Sequence, residues 1–155
     1  MSLRIARLHP DDWQLYRDVR LAALLDAPDA FASRHADQTD FTEQDWRAGL
    51  AIPCWVAFTG DEPVGMVRVG DRDAERPTLI SMWVAPSARG TRAASDLVGA
   101  VVDWARDSGK AGLELDVVTA NERAIAFYRR LGFVPDGRTA TLPDGRNEIR
   151  MVRIL

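Results

Sequence analysis

The 155-residue chain has one cysteine, one lysine and two histidines. A single thiol, Cys54, excludes an internal disulfide and a cysteine-cluster metal site. The two histidines, His9 and His35, lack a metal-type spacing. No apolar run approaches the ~18 residues of a membrane helix. Met1-Ser2-Leu3-Arg4-Ile5 is not followed by the continuous apolar stretch of a secretory leader. The Walker pattern Gly-x-x-x-x-Gly-Lys-Ser/Thr is absent, and so is the dinucleotide fingerprint Gly-x-Gly-x-x-Gly. An excess of basic charge is also missing. The formal net charge is −3 at pH 7 and the sequence pI is near 5.4. That speaks against nucleic acid as the main partner and suits cationic acceptors such as amines. Lys110 is the one lysine among 20 basic residues, which reads as a coding bias before a chemical signal. These absences predict a cytoplasmic protein with no metal, no membrane and no nucleic acid.

What is present is an ordinary globular composition, 46% hydrophobic and 28% charged. The length falls within the range of one domain of roughly 100–200 residues, so residues 1–155 are read as a single domain. Leu3–Leu8 alternates as a first strand. Pro10-Asp11-Asp12 then starts a helix that carries Trp13, Tyr16, Val19, Ala23 and Leu24 at helical spacing. The stretch from Pro28 to Phe41 reads as a connection or a short irregular helix. Thr42-Glu43-Gln44-Asp45 forms a capping-box pattern before a second helix. Cys54–Thr59 and Val64–Val69 flank Gly60-Asp61-Glu62-Pro63 as a hairpin. Thr78–Ala85 is a strand, and a helix runs from Ala93 to Ser108 until Gly109. Gly112–Val118 is a strand with Leu113, Leu115 and Val117 on one face and Glu114 and Asp116 on the other. Asn121–Leu131 is a helix closed by Gly132. Phe133-Val134 restarts a strand, Pro143-Asp144-Gly145 turns, and Glu148–Leu155 ends the chain as a strand. The order β-α-α-β-β-β-α-β-α-β-β predicts an α/β fold with a mixed sheet.

Two segments carry chemistry. Val84-Ala85-Pro86-Ser87-Ala88-Arg89-Gly90-Thr91-Arg92-Ala93-Ala94-Ser95 leads from a strand through a short loop into a helix. The first N–H groups of a helix lack intrahelical acceptors and the dipole places positive charge there, which suits a phosphate or pyrophosphate. Gly90 admits close backbone approach, and Arg89 and Arg92 add charge and bidentate donors. A structural turn with surface arginines is the alternative. The second segment runs from Leu115 to Phe133. Asn121 serves as an N-cap on its own account. Tyr128 lies two helical turns further on the same face, and it also suits a core aromatic.

Taken together, the segments resemble the GNAT-type N-acetyltransferase superfamily. Val84 to Ala94 follows its Val-x-Pro-x-x-Arg-Gly-x-Gly-x-Gly/Ala pattern, with Arg92 in place of the middle glycine. Asn121, Ala124, Tyr128, Gly132 and Phe133 follow its Asn-x-x-Ala-x-x-x-Tyr-x-x-x-Gly-Phe pattern. The resemblance implies a mixed central sheet of about six or seven strands flanked by about four helices. It also implies acetyl-CoA as cosubstrate and an amine acceptor, either a small molecule or a protein amine. It assigns Met82, Trp83 and Val84 to the pantetheine arm and one backbone N–H to the acetyl oxygen. Gly90, Thr91, Arg92, Ala93, Ala94 and Ser95 are assigned to the pyrophosphate, with Arg89 beside them. Asn121 goes to the pantetheine region. Tyr128 becomes the general acid for the departing sulfur. Asp116 becomes the general base, with Glu114 or a water relay as alternatives and the polar side of a half-buried strand as its structural reading. Direct transfer in a ternary complex follows, since Cys54 has no histidine partner.

The acceptor is expected between the first two helices and the last hairpin, along Asp26 to Asp45 and Thr139 to Asn147. Phe31, Phe41 and Trp46 are its candidate lining, with core packing as the alternative for each. Asp37, Asp40, Glu43 and Asp45 either attract a cation or form a solvated face. A non-catalytic acyl-CoA-binding module and a nucleotide-phosphate binder are the rival readings, and edge strands leave room for a homodimer.

Overall fold

Apolar residues at nearly every position of β2 (Cys54–Thr59) mark a strand covered on both faces, and it is buried from Cys54 to Phe58. β2 pairs antiparallel with β1 (Leu3–Arg7) on one side and with β3 (Glu62–Gly70) on the other. A register shift falls between Ala57 and Phe58. The computed structural model describes residues 2–28 and 34–155, so Asp29, Ala30 and the predicted lining residue Phe31 lie outside the described residues. The chain divides into two units: residues up to Gly70 with Ile80–Val101, and Asp71–Leu79 with Val102–Leu155.

The first unit holds β1 to β3, most of β4 (Thr78–Val84) and three helices. Pro10 starts a single 3-10 turn over Pro10–Asp12, which leads into α1 (Trp13–Asp26). A short α2 (His35–Gln38) follows, within the stretch read as a connection or irregular helix. The expected capping box opens α3 (Glu43–Gly49): Thr42 Oγ1 accepts from the Asp45 N–H, and Asp45 Oδ2 accepts from the Thr42 N–H at 2.9 Å. Tyr16, Val19 and Ala23 of α1 and Trp46 of α3 form one buried cluster with Cys54, Val56, Phe58, Met66 and Trp83 of the strands. α4 (Ala93–Asp107) begins in this unit and continues into the second.

β4 contains a feature that no residue pattern announces. Ser81 has φ 57°, a left-handed conformation inside a strand, which costs a non-glycine residue about 1–3 kcal/mol.

In the second unit, β5 (Gly112–Val118) pairs parallel with the start of β4 and antiparallel with β7 (Asn147–Ile154), and β7 pairs with β6 (Val134–Thr141). Because β4 runs through both units, the strand order reads β1-β2-β3-β4-β5-β7-β6. This is an α/β fold with a seven-stranded mixed sheet and five helices, as the sequence predicts. β6 is longer than the expected Phe133-Val134 start. All eight of its residues are exposed, so it has no apolar face to show in the sequence and is held by its ladder with β7. α5 (Glu122–Arg130) has Asn121 as its N-cap, and Gly132 follows its end with φ 91°. No helix among the described residues is long and apolar enough to cross a membrane.

Candidate active site

Each unit carries its own group of predicted site residues. In the first, the chain leaves β4 at Val84, passes through a 3-10 turn at Pro86–Ala88 and enters α4 at Ala93. Gly90 has φ 80°, and nothing lies within 4 Å of where a Cβ would stand. Glycine is therefore required by backbone conformation and not by crowding. Thr91 closes the loop. Its hydroxyl donates to the Ala88 carbonyl at 2.5 Å and accepts from the Ala93 N–H at 3.2 Å. The first i→i−4 bond of the helix runs from the Asp96 N–H to the Arg92 carbonyl at 2.8 Å. The N–H groups of Ala94 and Ser95 precede it and are the unpaired helix-start donors that an anion needs. Ser95 Oγ donates back to the Arg92 carbonyl at 3.1 Å.

The two loop arginines differ. The Arg92 side chain is 86% exposed and touches Asp96 at 3.5 Å, so it turns outward from the loop. Arg89 is anchored: Nη2 donates to Asp26 Oδ2 at 2.6 Å and Nε donates to the Val84 carbonyl at 3.2 Å. The same Asp26 oxygen accepts from Trp83 Nε1 at 2.9 Å. One carboxylate at the end of α1 thus ties the buried Trp83 indole to the loop. The sequence places Asp26 at the start of the acceptor stretch; its bonds to Trp83 and Arg89 tie it instead to the loop before α4. Of the three β4 residues, Trp83 is buried while Met82 and Val84 are partly buried. An open hollow of about 500 Å³ lies against this helix start, lined by Ser87, Ala88, Thr91, Arg92 and Asp96 with Leu3 and Thr59.

The second unit holds Asp116, Asn121 and Tyr128. Asn121 Oδ1 accepts from the Ala124 N–H at 3.2 Å, which commits its side-chain oxygen to capping. Tyr128 is buried, with its ring edge-on to Phe133 at 5.8 Å and to Phe127 at 5.1 Å between centroids. Its hydroxyl has no hydrogen-bond partner among the described residues. Burial pushes its pKa up to about 12, so the phenol keeps its proton at neutral pH.

Asp116 and Glu114 do share a face of β5, and that face is crowded with arginine. Asp116 Oδ1 accepts from Arg150 Nε at 2.8 Å, and Oδ2 accepts from Arg150 Nη2 at 2.7 Å and Arg72 Nη2 at 3.5 Å. Burial raises the Asp116 pKa above the usual carboxylate value, Arg72 opposes the rise and Glu114 adds to it. Glu114 is 2% exposed and accepts from Arg138 Nη2 and Arg150 Nη1, both at 2.6 Å. Arg138 comes from β6, Arg150 from β7 and Arg72 from the loop between β3 and β4, and sequence spacing offers no hint of this convergence. The β5–β7 register supplies it, placing Asp116 opposite Arg150.

The expected acceptor residues resolve mostly into packing. Trp46 is buried edge-on to Tyr16 at 5.7 Å between centroids, and Phe41 packs on it at 5.1 Å. Asp45 completes the α3 capping box with Thr42, and Glu43 pairs with Arg47 at 3.0 Å.

Comparison with known proteins agrees with this architecture. Residues 14–133 match the Acetyltransferase (GNAT) family. Mycothiol acetyltransferase of Brachybacterium faecium is 32% identical over 126 residues, which cover 73% of this chain and 37% of that protein. The chain therefore spans well under half the length of that curated relative. A GNAT-family acetyltransferase from Streptococcus pneumoniae superposes with a TM-score of 0.81 at 21% identity, covering 99% of this chain and 100% of that one. PaiA N-acetyltransferase from Thermoplasma acidophilum, solved in complex with coenzyme A, superposes with a TM-score of 0.75 at 14% identity over 100% of both chains. These last two likenesses are of fold. With a family match across most of the chain, the protein belongs to the acetyltransferase (GNAT) family.

Proposed function

We propose that the chain moves an acetyl group from acetyl-CoA to a primary amine by direct attack within a ternary complex. The observation that carries this reading is Tyr128, a phenol whose ring is buried while its hydroxyl bonds to no described residue and is not sealed from solvent. A hydroxyl that no described residue engages is free to donate, and a departing sulfur would be its acceptor. The phenol is protonated at neutral pH because burial raises its pKa to about 12. It therefore meets the developing thiolate as a donor, as a general acid must.

In this reading the diphosphate takes the helix-start N–H groups of Ala94 and Ser95 with the Gly90–Ala93 loop. Arg89 keeps Nη1 for a phosphate oxygen while Asp26 holds its other end. Outward-turned Arg92 remains a surface donor and leaves the loop interior clear. The backbone of Met82 to Val84 takes the pantetheine arm, and Asn121 offers its amide N–H₂, since its oxygen is used by the cap. A backbone N–H of β4 stabilises the oxyanion as the amine attacks. Asp116 receives the amine proton through Oδ1, whose second lone pair no described donor occupies. The nitrogen loses one proton, the sulfur gains one from Tyr128, and solvent restores the phenol.

Tyr128→Phe tests the assignment. Turnover, followed by thiol release across an amine panel, should fall about a hundredfold or more, while acetyl-CoA affinity stays near wild type. Unchanged turnover would reject Tyr128 as the acid.

A further inference from the structure

The face of the first unit covered by α1 and α3 carries an arginine that the acyl-transfer reading does not use. Arg68 lies on β3 opposite Cys54, two residues from the buried Met66 and on the same side. Its guanidinium sits 5.2 Å over the Tyr16 ring. Nη2 donates to the Gly49 carbonyl at 2.7 Å. Nε is sealed from solvent and has no hydrogen-bond partner among the described residues, and no carboxylate there pairs with Arg68. An arginine presents five N–H donors, and this one spends a single bond on a neutral carbonyl. The residue is half-buried, so its remaining Nη donors can meet a ligand from solvent.

A second guanidinium lies close by. Arg20 of α1 is 6% exposed. Its Nε donates to Gln38 Oε1 at 3.3 Å and its Nη1 to Ser81 Oγ at 3.2 Å. Burial, with Arg68 contributing, pulls its pKa below the ordinary value. Gly49 is fitted to the arrangement, since a Cβ there would stand 2.8 Å from Tyr16 Cε2. The Tyr16 hydroxyl has no partner among the described residues, and burial keeps it protonated. Two guanidinium groups and a phenol thus lie together, and the Ser81 hydroxyl joins them through Arg20. Ser81 is the residue that the strained turn of β4 presents to Arg20.

We infer that Arg68, with Arg20 beside it, binds a carboxylate carried by the acyl acceptor, so that the acceptor is a small amine of amino-acid type. The planar fork of arginine matches a planar carboxylate, and the hydroxyl groups of Tyr16 and Ser81 are further donors to it. The inference rests on the acetyl-transfer reading for its substrate role. The carboxylate site itself stands on the cluster.

The test uses matched pairs: common α-amino acids, β-alanine and γ-aminobutyrate against their carboxamides. Thiol release with the wild-type chain should favour the acid of at least one pair by about a hundredfold in kcat/KM, as a site built around a charged hydrogen bond rejects an analogue that lacks it. Arg68→Gln should erase the preference through KM while leaving acetyl-CoA-induced thermal stabilisation intact. Arg68→Lys, which keeps charge without the fork, should retain part of it and serves if the Gln variant does not fold. Carboxamides acetylated as well as their acids, or a preference that survives Arg68→Gln, would overturn the inference. If no amine releases thiol, the transfer reading fails, and binding then decides the site. Thermal stabilisation by the acids and not by the carboxamides upholds it, and no difference within the pairs refutes it.

Discussion

Asp26→Ala removes one carboxylate oxygen that serves two donors from two parts of the chain. The Trp83 indole N–H, on a residue only 8% exposed, would lose its acceptor at 2.9 Å. Leaving a buried donor unpaired costs about 1–3 kcal/mol. The Arg89 side chain is 55% exposed, so its ion pair is screened and adds about 0–1 kcal/mol. The sum is about 1–4 kcal/mol. For a chain of this size each kcal/mol lowers Tm by about 2–4 °C, so Tm should drop by about 2–16 °C. Asp26→Asn keeps an amide oxygen for the indole and should recover more than half of that loss. Urea unfolding read by tryptophan fluorescence measures the free energies directly. Acetyl-CoA titration measures the second consequence. A loop no longer held through Arg89 should bind the coenzyme more weakly in both variants. An Asp26→Ala chain within about 0.5 kcal/mol of wild type, or one that binds acetyl-CoA more tightly, would refute the clamp.

Tyr128→Phe should also change alkaline stability. Burial lifts the folded phenol's pKa from the ordinary tyrosine value of 10.0 to about 12, so its contribution is fully present below pH 10 and is lost as pH rises towards 12. Wild type should lose up to about 3 kcal/mol over that interval relative to the Phe variant, measured as the difference between paired urea curves. Asp116→Asn should lower turnover and alter the acid limb of the rate–pH profile; an identical profile would remove Asp116 as base. Gly90→Ala introduces no clash, so its cost is conformational, about 1–2 kcal/mol. Acetyl-CoA affinity should weaken with it, as an isothermal titration would report.

Local chemistry was the readable part of this chain. The Thr42–Asp45 box, the Asn121 cap, the Gly132 stop and the apolar run of β2 each act over a few residues, and each appears where the pattern places it. The α/β order followed from the same signals. β6 was nearly silent because all eight of its residues face solvent. Glu114 and Asp116 were correctly given one face, yet whether water or protein lay against that face depended on Arg138 and Arg150, 24 and 34 residues away from their respective partners. Arg68 breaks the apolar run of β3 and so reads as a solvent-facing charge. Parity with Met66 held the contrary clue, but a strand buried on both faces hides its own alternation. The part Asp26 plays could not be recognised without the tertiary contact that brings Trp83 and Arg89 to it.

Cys54 is completely buried, and its thiol pKa is pushed up to about 12 by desolvation. The protein therefore brings no reactive sulfhydryl of its own into a chromogenic disulfide exchange. A reagent that counts liberated coenzyme reads product against a blank background for as long as the chain stays folded. Once it opens, the same colour change becomes a clock for unfolding, with one equivalent per molecule as its endpoint.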